Sequence, residues 1–397
     1  MSSETPDFRA SEQETTGRFL VLFHREAMQE GVDELSRQAG VSLVSAAAAE
    51  VSAVEEAPAD GLVFERLGVA VVDVPPDQGR ALTAAADEAP TIAVVEPERV
   101  VYATASSSSF TDGDLTWGLQ AVNVEASDAT GRGIGVAVLD TGFDLKHPDF
   151  AGRNVVTESF VPHEKVQDGH GHGTHCIGTS CGPRDPQQLP GYGVAPEAEI
   201  FAGKVLNNQG RGSDQNILAG IEWALRNSCR VVSMSLGGRV QPGDPPSQVF
   251  ESVGRRALDQ GTLIVAAAGN DSDRDSGFIA PVSHPANCES IVAVAALNSS
   301  LEVASFSNGA SGTAGGEINI AGPGVDVHSS WPMPRRYRTI SGTSMATPHV
   351  AGVAALFAQL NPDASARDLL DLVTRAARSL PLDASDVGAG LVQAPPR

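Results

Sequence analysis

From Trp117 onward the chain alternates between two patterns. Short apolar runs recur at Ile134–Leu139, Ile200–Val205, Arg230–Leu236, Thr262–Ala268 and Ser290–Ala296. Between them lie stretches of helical spacing such as Asp214–Asn227 and Gln248–Gln260. Continuous Val, Ile and Ala predict strands buried on both faces. Their alternation with helices predicts an α/β fold, a mostly parallel sheet with helices on both faces.

The first hundred residues read differently. Phe19–His24 predicts a strand, and Glu26–Gln38 a helix with Met28, Val32 and Leu35 on one face. Ser45–Asp60, rich in Ala and Glu, reads as a loop or loose helix. Leu67–Val74 alternates as a strand and stops at Pro75-Pro76, Asp77–Glu88 is helical, and Thr91–Val95 is a last strand. The order β-α-β-α-β predicts a small α+β, ferredoxin-like unit. The expected organisation is a polar tail over 1–17, this unit over 18–103, a Ser-rich linker over 104–114 open to nicking, and a large unit over 115–397.

Composition narrows the choice of partner. Acidic residues number 49 against 27 basic, a net charge of −22, which argues against nucleic acid because phosphate needs clustered Lys and Arg. No apolar run reaches the roughly 18–20 residues of a membrane helix. The start, MSSETPDFRASEQETTGRF, has no apolar segment and predicts no secretory signal within these residues. Four cysteines (Cys176, Cys181, Cys229, Cys288) are too few for a disulfide scaffold; they read as thiols, with one disulfide left open.

Active sites of open α/β sheets gather beyond the carboxyl ends of the strands, and several polar groups are aimed there. Asp140 ends the run Ile134–Leu139, where a plain turn or cap aspartate is the alternative. His172 lies in DGHGHGTHCIGT, whose glycines let backbone come close. His170, His172, His175 and Cys176 could also be read as zinc ligands, but no spaced second cluster completes a site. Ser344 in GTSMATPHV opens a helix, where free N–H groups favour developing negative charge. Asn270, after the buried run Thr262–Ala268, is either a turn residue or a donor to that charge.

Together VAVLDTGFDLKHPDF, HGHGTHCIGT, SMSLGG, AAAGN and SGTSMATPHVAG resemble the subtilisin-like serine peptidases over about Trp117–Ala394, with HGTHC and GTSMATPHVAG closest to the proteinase K side. The order Asp…His…Ser is the one known for subtilisin. The resemblance implies a serine endopeptidase in which Ser344 attacks, His172 is the base, Asp140 orients it, and Asn270 with the Ser344 N–H holds the oxyanion. It places a polypeptide substrate between Gly210–Gly212 and Ser235–Leu236–Gly237. Ala267, Ala268, Gly269 and Ser283 would line an open, mostly apolar pocket. Residues Phe19–Ala103 resemble an inhibitor-type propeptide, implying a zymogen, with Val100–Ala103 in the cleft and self-cleavage between Tyr102 and Asp112. No cofactor is implied for the chemistry. A structural calcium is left open: Asp149 matches a family ligand, whereas the loop Cys181–Gly191 does not match the ligand loop and Asn319 replaces a frequent Asp. A monomer is expected. The family is mostly exported, while these residues suggest the cytoplasm or non-classical export. A catalytically silent peptide-binding member of the same fold stays the alternative.

Overall fold

The computed structural model of the chain describes residues 15–25, 27–46, 60–75, 78–79, 82–83, 90–103, 113–310, 312 and 315–397. Most of the expected loop after Ser45, most of the helix expected over Asp77–Glu88 and nearly all of the linker lie outside these residues.

The small unit contains β1 (Thr15–Phe23), α1 (Met28–Ala39), β2 (Leu43–Ser45), β3 (Gly61–Phe64), β4 (Val69–Val72) and β5 (Ile92–Ala103). They form one sheet in the order β5-β1-β4-β3-β2. Two strands go beyond the expected pattern, because β2 and β3 are too short to alternate visibly. Period-two alternation divides β1 between two cores. Val21 and Phe23 pack with Leu35 of α1, whereas Leu20 and Leu22 enter the core of the large unit.

The large unit is built on a seven-stranded sheet in the order β14-β13-β12-β10-β6-β8-β7. Its strands are β6 (Gly135–Asp140), β7 (Val155–Ser159), β8 (Glu199–Lys204), β10 (Val231–Met234), β12 (Leu263–Ala267), β13 (Val292–Leu297) and β14 (Ile320–Pro323). Every pairing is parallel, and helices pack on both faces. The chain runs from β6 outward to β7, returns through β8, then crosses to β10 and beyond. The order therefore reverses at β6, which opens a crevice at its carboxyl end. Two strands escaped the sequence reading. β7 is half exposed along its length, and β14 contains Gly322 and Pro323, so neither forms an apolar run.

Four helices matter for the site: α2 (His172–Cys181), α3 (Asp214–Arg226), α4 (Gln248–Asp259) and α5 (Thr343–Leu360). The small sheet rests on α3 and α4. Their N-termini are met by carboxylates from β5: Glu98 accepts from Gln215 N at 2.6 Å, and Glu96 accepts from Gln248 N at 2.6 Å. Each places negative charge where helical N–H groups lack partners. No helix among the described residues is long and apolar enough to cross a membrane.

Candidate active site

Asp140 is the last residue of β6, His172 the first of α2, and Ser344 the second of α5. All three are buried, because α2 and α5 pack side by side over the end of the sheet. His172 Nδ1 lies 2.8 Å from Asp140 Oδ1 and 3.0 Å from Oδ2. This approach depends on glycine: a Cβ at Gly173 would sit 2.3 Å from Gly142 O. Burial by itself would lower the His172 pKa. The Asp140 carboxylate more than offsets this and holds it well above the ordinary 6.5.

Ser344 Oγ donates to Ser235 O at 3.1 Å, while His172 Nε2 is buried with no hydrogen-bond partner among the described residues. Rotation about the Ser344 Cα–Cβ bond is what would turn the hydroxyl toward the imidazole. Pro348 lies in the second turn of α5, and its missing N–H leaves Ser344 O without the usual helical donor. Ser235 Oγ takes that place at 2.8 Å, with Cys176 Sγ at 3.6 Å. Ser235 thus both accepts from the Ser344 hydroxyl and donates to its carbonyl. Burial raises the Cys176 pKa, so this thiol stays protonated and packs beneath the histidine.

Asn270 Oδ1 accepts from Thr343 N at 2.9 Å and Thr343 Oγ1 at 2.8 Å. With its oxygen engaged, the side chain has only its NH₂ to offer a ligand beside Ser344. At Gly269, φ is +108°, and a Cβ would lie 2.2 Å from Ser283 Oγ. Ser283 adjoins the segment Ala267–Gly269, with Ser283 N donating to Ala268 O at 2.8 Å.

Two short edges face each other across the cleft, β9 (Arg211–Ser213) and β11 (Leu236–Gly237). The end of β5 lies between them as an antiparallel middle strand. Val101 pairs with Gly212 and Tyr102 with Arg211 on one side; Tyr102 pairs with Gly237 and Ala103 with Leu236 on the other. Gly210 adjoins the first edge with φ +75°.

Several supporting residues were not assigned from sequence. Asp168 accepts from Thr141 Oγ1, His170 N and Gly171 N on one oxygen, and from Thr174 N and Oγ1 on the other. It thereby anchors the start of α2 to the end of β6. Its position four residues before His172 was the only available signal. Buried Asn308 donates to Pro281 O at 2.9 Å and to Ser283 Oγ at 3.3 Å, bracing the pocket loop; nothing local in the sequence marks it.

The zinc reading does not hold for the histidine cluster, because His175 Nε2 points away to Val327 O and Arg338 O. Asp140, His172 and Cys176 form the one convergent group of three potential ligands among the described residues, and Asp149 is outside it. All four cysteines are free and buried. Asp149 Oδ2 accepts from Tyr192 OH at 2.8 Å and Tyr337 OH at 2.7 Å, while buried Oδ1 has no partner among the described residues. Calcium takes six to eight oxygens, and one open carboxylate oxygen beside two phenols does not fit it. Asp149→Leu is expected to destabilise the fold by about 1–3 kcal/mol by unpairing both phenols. The loss in thermal denaturation should be the same with calcium or chelator; a loss that chelator abolishes would assign an ion to this carboxylate.

Residues 131–391 match the Subtilase family, Peptidase_S8. The chain is 35% identical over 388 residues to M-protease of Shouchella clausii (strain KSM-K16), covering 96% of this chain and 91% of that protein. It is 38% identical over 290 residues to Subtilisin E of Bacillus subtilis (strain 168), 71% of this chain and 70% of the relative. Subtilisin BL of Lederbergia lenta is 40% identical over 284 residues, 70% of this chain and 97% of the relative. The finer likeness to the proteinase K side rests on HGTHC and GTSMATPHVAG alone. The chain belongs to the subtilase family and is a serine endopeptidase.

Proposed function

We propose that the chain is a self-processing precursor whose N-terminal unit inhibits the peptidase and is cut from it. The observation that carries this reading is the β5 tail, seated between β9 and β11 and leading toward Ser344. A peptide substrate adds to the same two edges by main-chain hydrogen bonds. Ser344 Oγ, turned to His172, loses its proton to Nε2 and attacks the scissile carbonyl. Asp140 stabilises the imidazolium, and Asn270 with the Ser344 N–H holds the oxyanion. His172 then protonates the leaving amine, and water releases the acyl group by the reverse sequence.

The register supports a position for the cut. Leu236 pairs with Ala103, and Ser235, the residue before Leu236, touches Ser344, which favours a cut shortly beyond Ala103. Cleavage after Thr104 is expected, giving a product that begins at Ala105. N-terminal sequencing and intact mass of the active species test this; an active enzyme that retains residues 15–103 covalently would overturn it.

The pH dependence has a definite sign. His172 must be neutral to act as base, and its pKa is raised, so activity is lost as pH falls through a value above 6.5. A profile of kcat/KM should therefore have its acid limb above about 6.5. Removing the carboxylate in Asp140→Asn should move that limb to lower pH while reducing the rate. A limb that stays put in the variant would separate Asp140 from the base.

A further inference from the structure

We propose that Asp214, held by His284, is a subsite that reads one substrate backbone N–H, four residues before the residue paired with Leu236. This deepens the cleft assignment above and rests on it. β9 ends at Ser213, whose partner in the tail is Val100. Asp214 begins α3, so its own carbonyl turns into helical bonding and the ladder has no further main-chain acceptor on that edge. The side chain supplies one instead: Asp214 Oδ2 accepts from Arg99 N at 2.7 Å.

The second oxygen is held from the opposite edge. Asp214 Oδ1 lies 2.9 Å from His284 Nε2, with both side chains fully buried. His284 exchanges two backbone hydrogen bonds with Gly238, the residue after β11, at 2.8 and 2.9 Å. Asp214 and His284 therefore tie the two walls of the cleft together at the end remote from Ser344. Phe250 packs edge-on against the imidazole, ring centroids 4.6 Å apart. Burial lowers the His284 pKa despite Asp214, which favours a neutral ring donating from Nε2. His284 Nδ1 is buried and has no partner among the described residues.

Glu98 and Arg18 touch α3 through side chains that belong to the N-terminal unit alone. The Asp214 contact differs, because every residue except proline carries the N–H it needs. The subsite thus selects for long extended peptides and against proline at that position, whatever the side chain.

The test compares three quenched peptides on the active enzyme. One carries the sequence of residues 98–108, one has the N–H of the residue corresponding to Arg99 replaced by an ester oxygen, and one begins at the residue corresponding to Val101. The ester should lower kcat/KM by about 10- to 100-fold, as expected for losing a hydrogen bond to a charged group. Wild type should cleave the short peptide no faster than the ester, and Asp214→Ala should cleave the amide and ester peptides equally. Equal cleavage of amide and ester by wild type overturns the proposal, as does a ratio that survives in Asp214→Ala. If that variant does not fold, the wild-type ratio alone decides. Wild type that cuts none of the three peptides would overturn the peptidase reading itself, and this subsite with it.

Discussion

Ser344→Ala should leave a chain that folds, stays at full length and turns over peptides about a millionfold more slowly, a magnitude taken over from loss of the nucleophile in subtilisin. The physical reason is that acyl transfer needs an atom that forms and breaks a bond to the carbonyl carbon, and no neighbour can replace it. Cys176 Sγ is 3.6 Å from the Ser344 carbonyl oxygen, but it is buried beneath the histidine as a protonated thiol. The fold should be indifferent, since Thr343, Met345 and the helix they begin keep their partners. Intact mass of the purified variant beside wild type reads the processing, and a peptide assay reads the turnover. Wild-type activity in the variant would end the assignment of Ser344 as nucleophile.

Asn270→Ala is expected to lower kcat by about 100- to 1,000-fold with KM nearly unchanged, a magnitude that again comes from the equivalent change in subtilisin. The split between the two constants is the informative part. Thr343 engages the Asn270 oxygen through two hydrogen bonds, which leaves the NH₂ as the group free to donate to an oxyanion. Such a donor gains most when the carbonyl oxygen becomes an anion, so it stabilises the transition state more than the bound substrate. Substitution by Asp should fare no better, because a carboxylate donates nothing and repels the oxyanion. A loss confined to KM would make Asn270 a substrate-binding residue instead.

The division between what was legible and what was not follows interaction range. Asp140, His172, Ser344 and Asn270 were readable because each sits at a strand end or helix start that its own neighbours announce: an apolar run before Asp140, glycines around His172, and Gly342 before Ser344. The parallel sheet was readable for the same reason, since burial on both faces writes itself into consecutive Val, Ile and Ala. β7 and β14 were missed because neither is written as an apolar run: β7 is half exposed, and the buried β14 is interrupted by Gly322 and Pro323.

Sequence by itself therefore determined the fold class and the family and nominated the residues proposed for acyl transfer, all of which are encoded locally. Tertiary structure alone decided that Asp149 faces two tyrosines, that Asp168 and Asn308 brace the site, and that Asp214 meets His284 across the cleft. The partners of Asp149, Asn308 and Asp214, and Thr141 as partner of Asp168, lie tens to hundreds of residues away in the chain. Which of many similar carboxylates finds which donor is settled only when packing brings their backbones together.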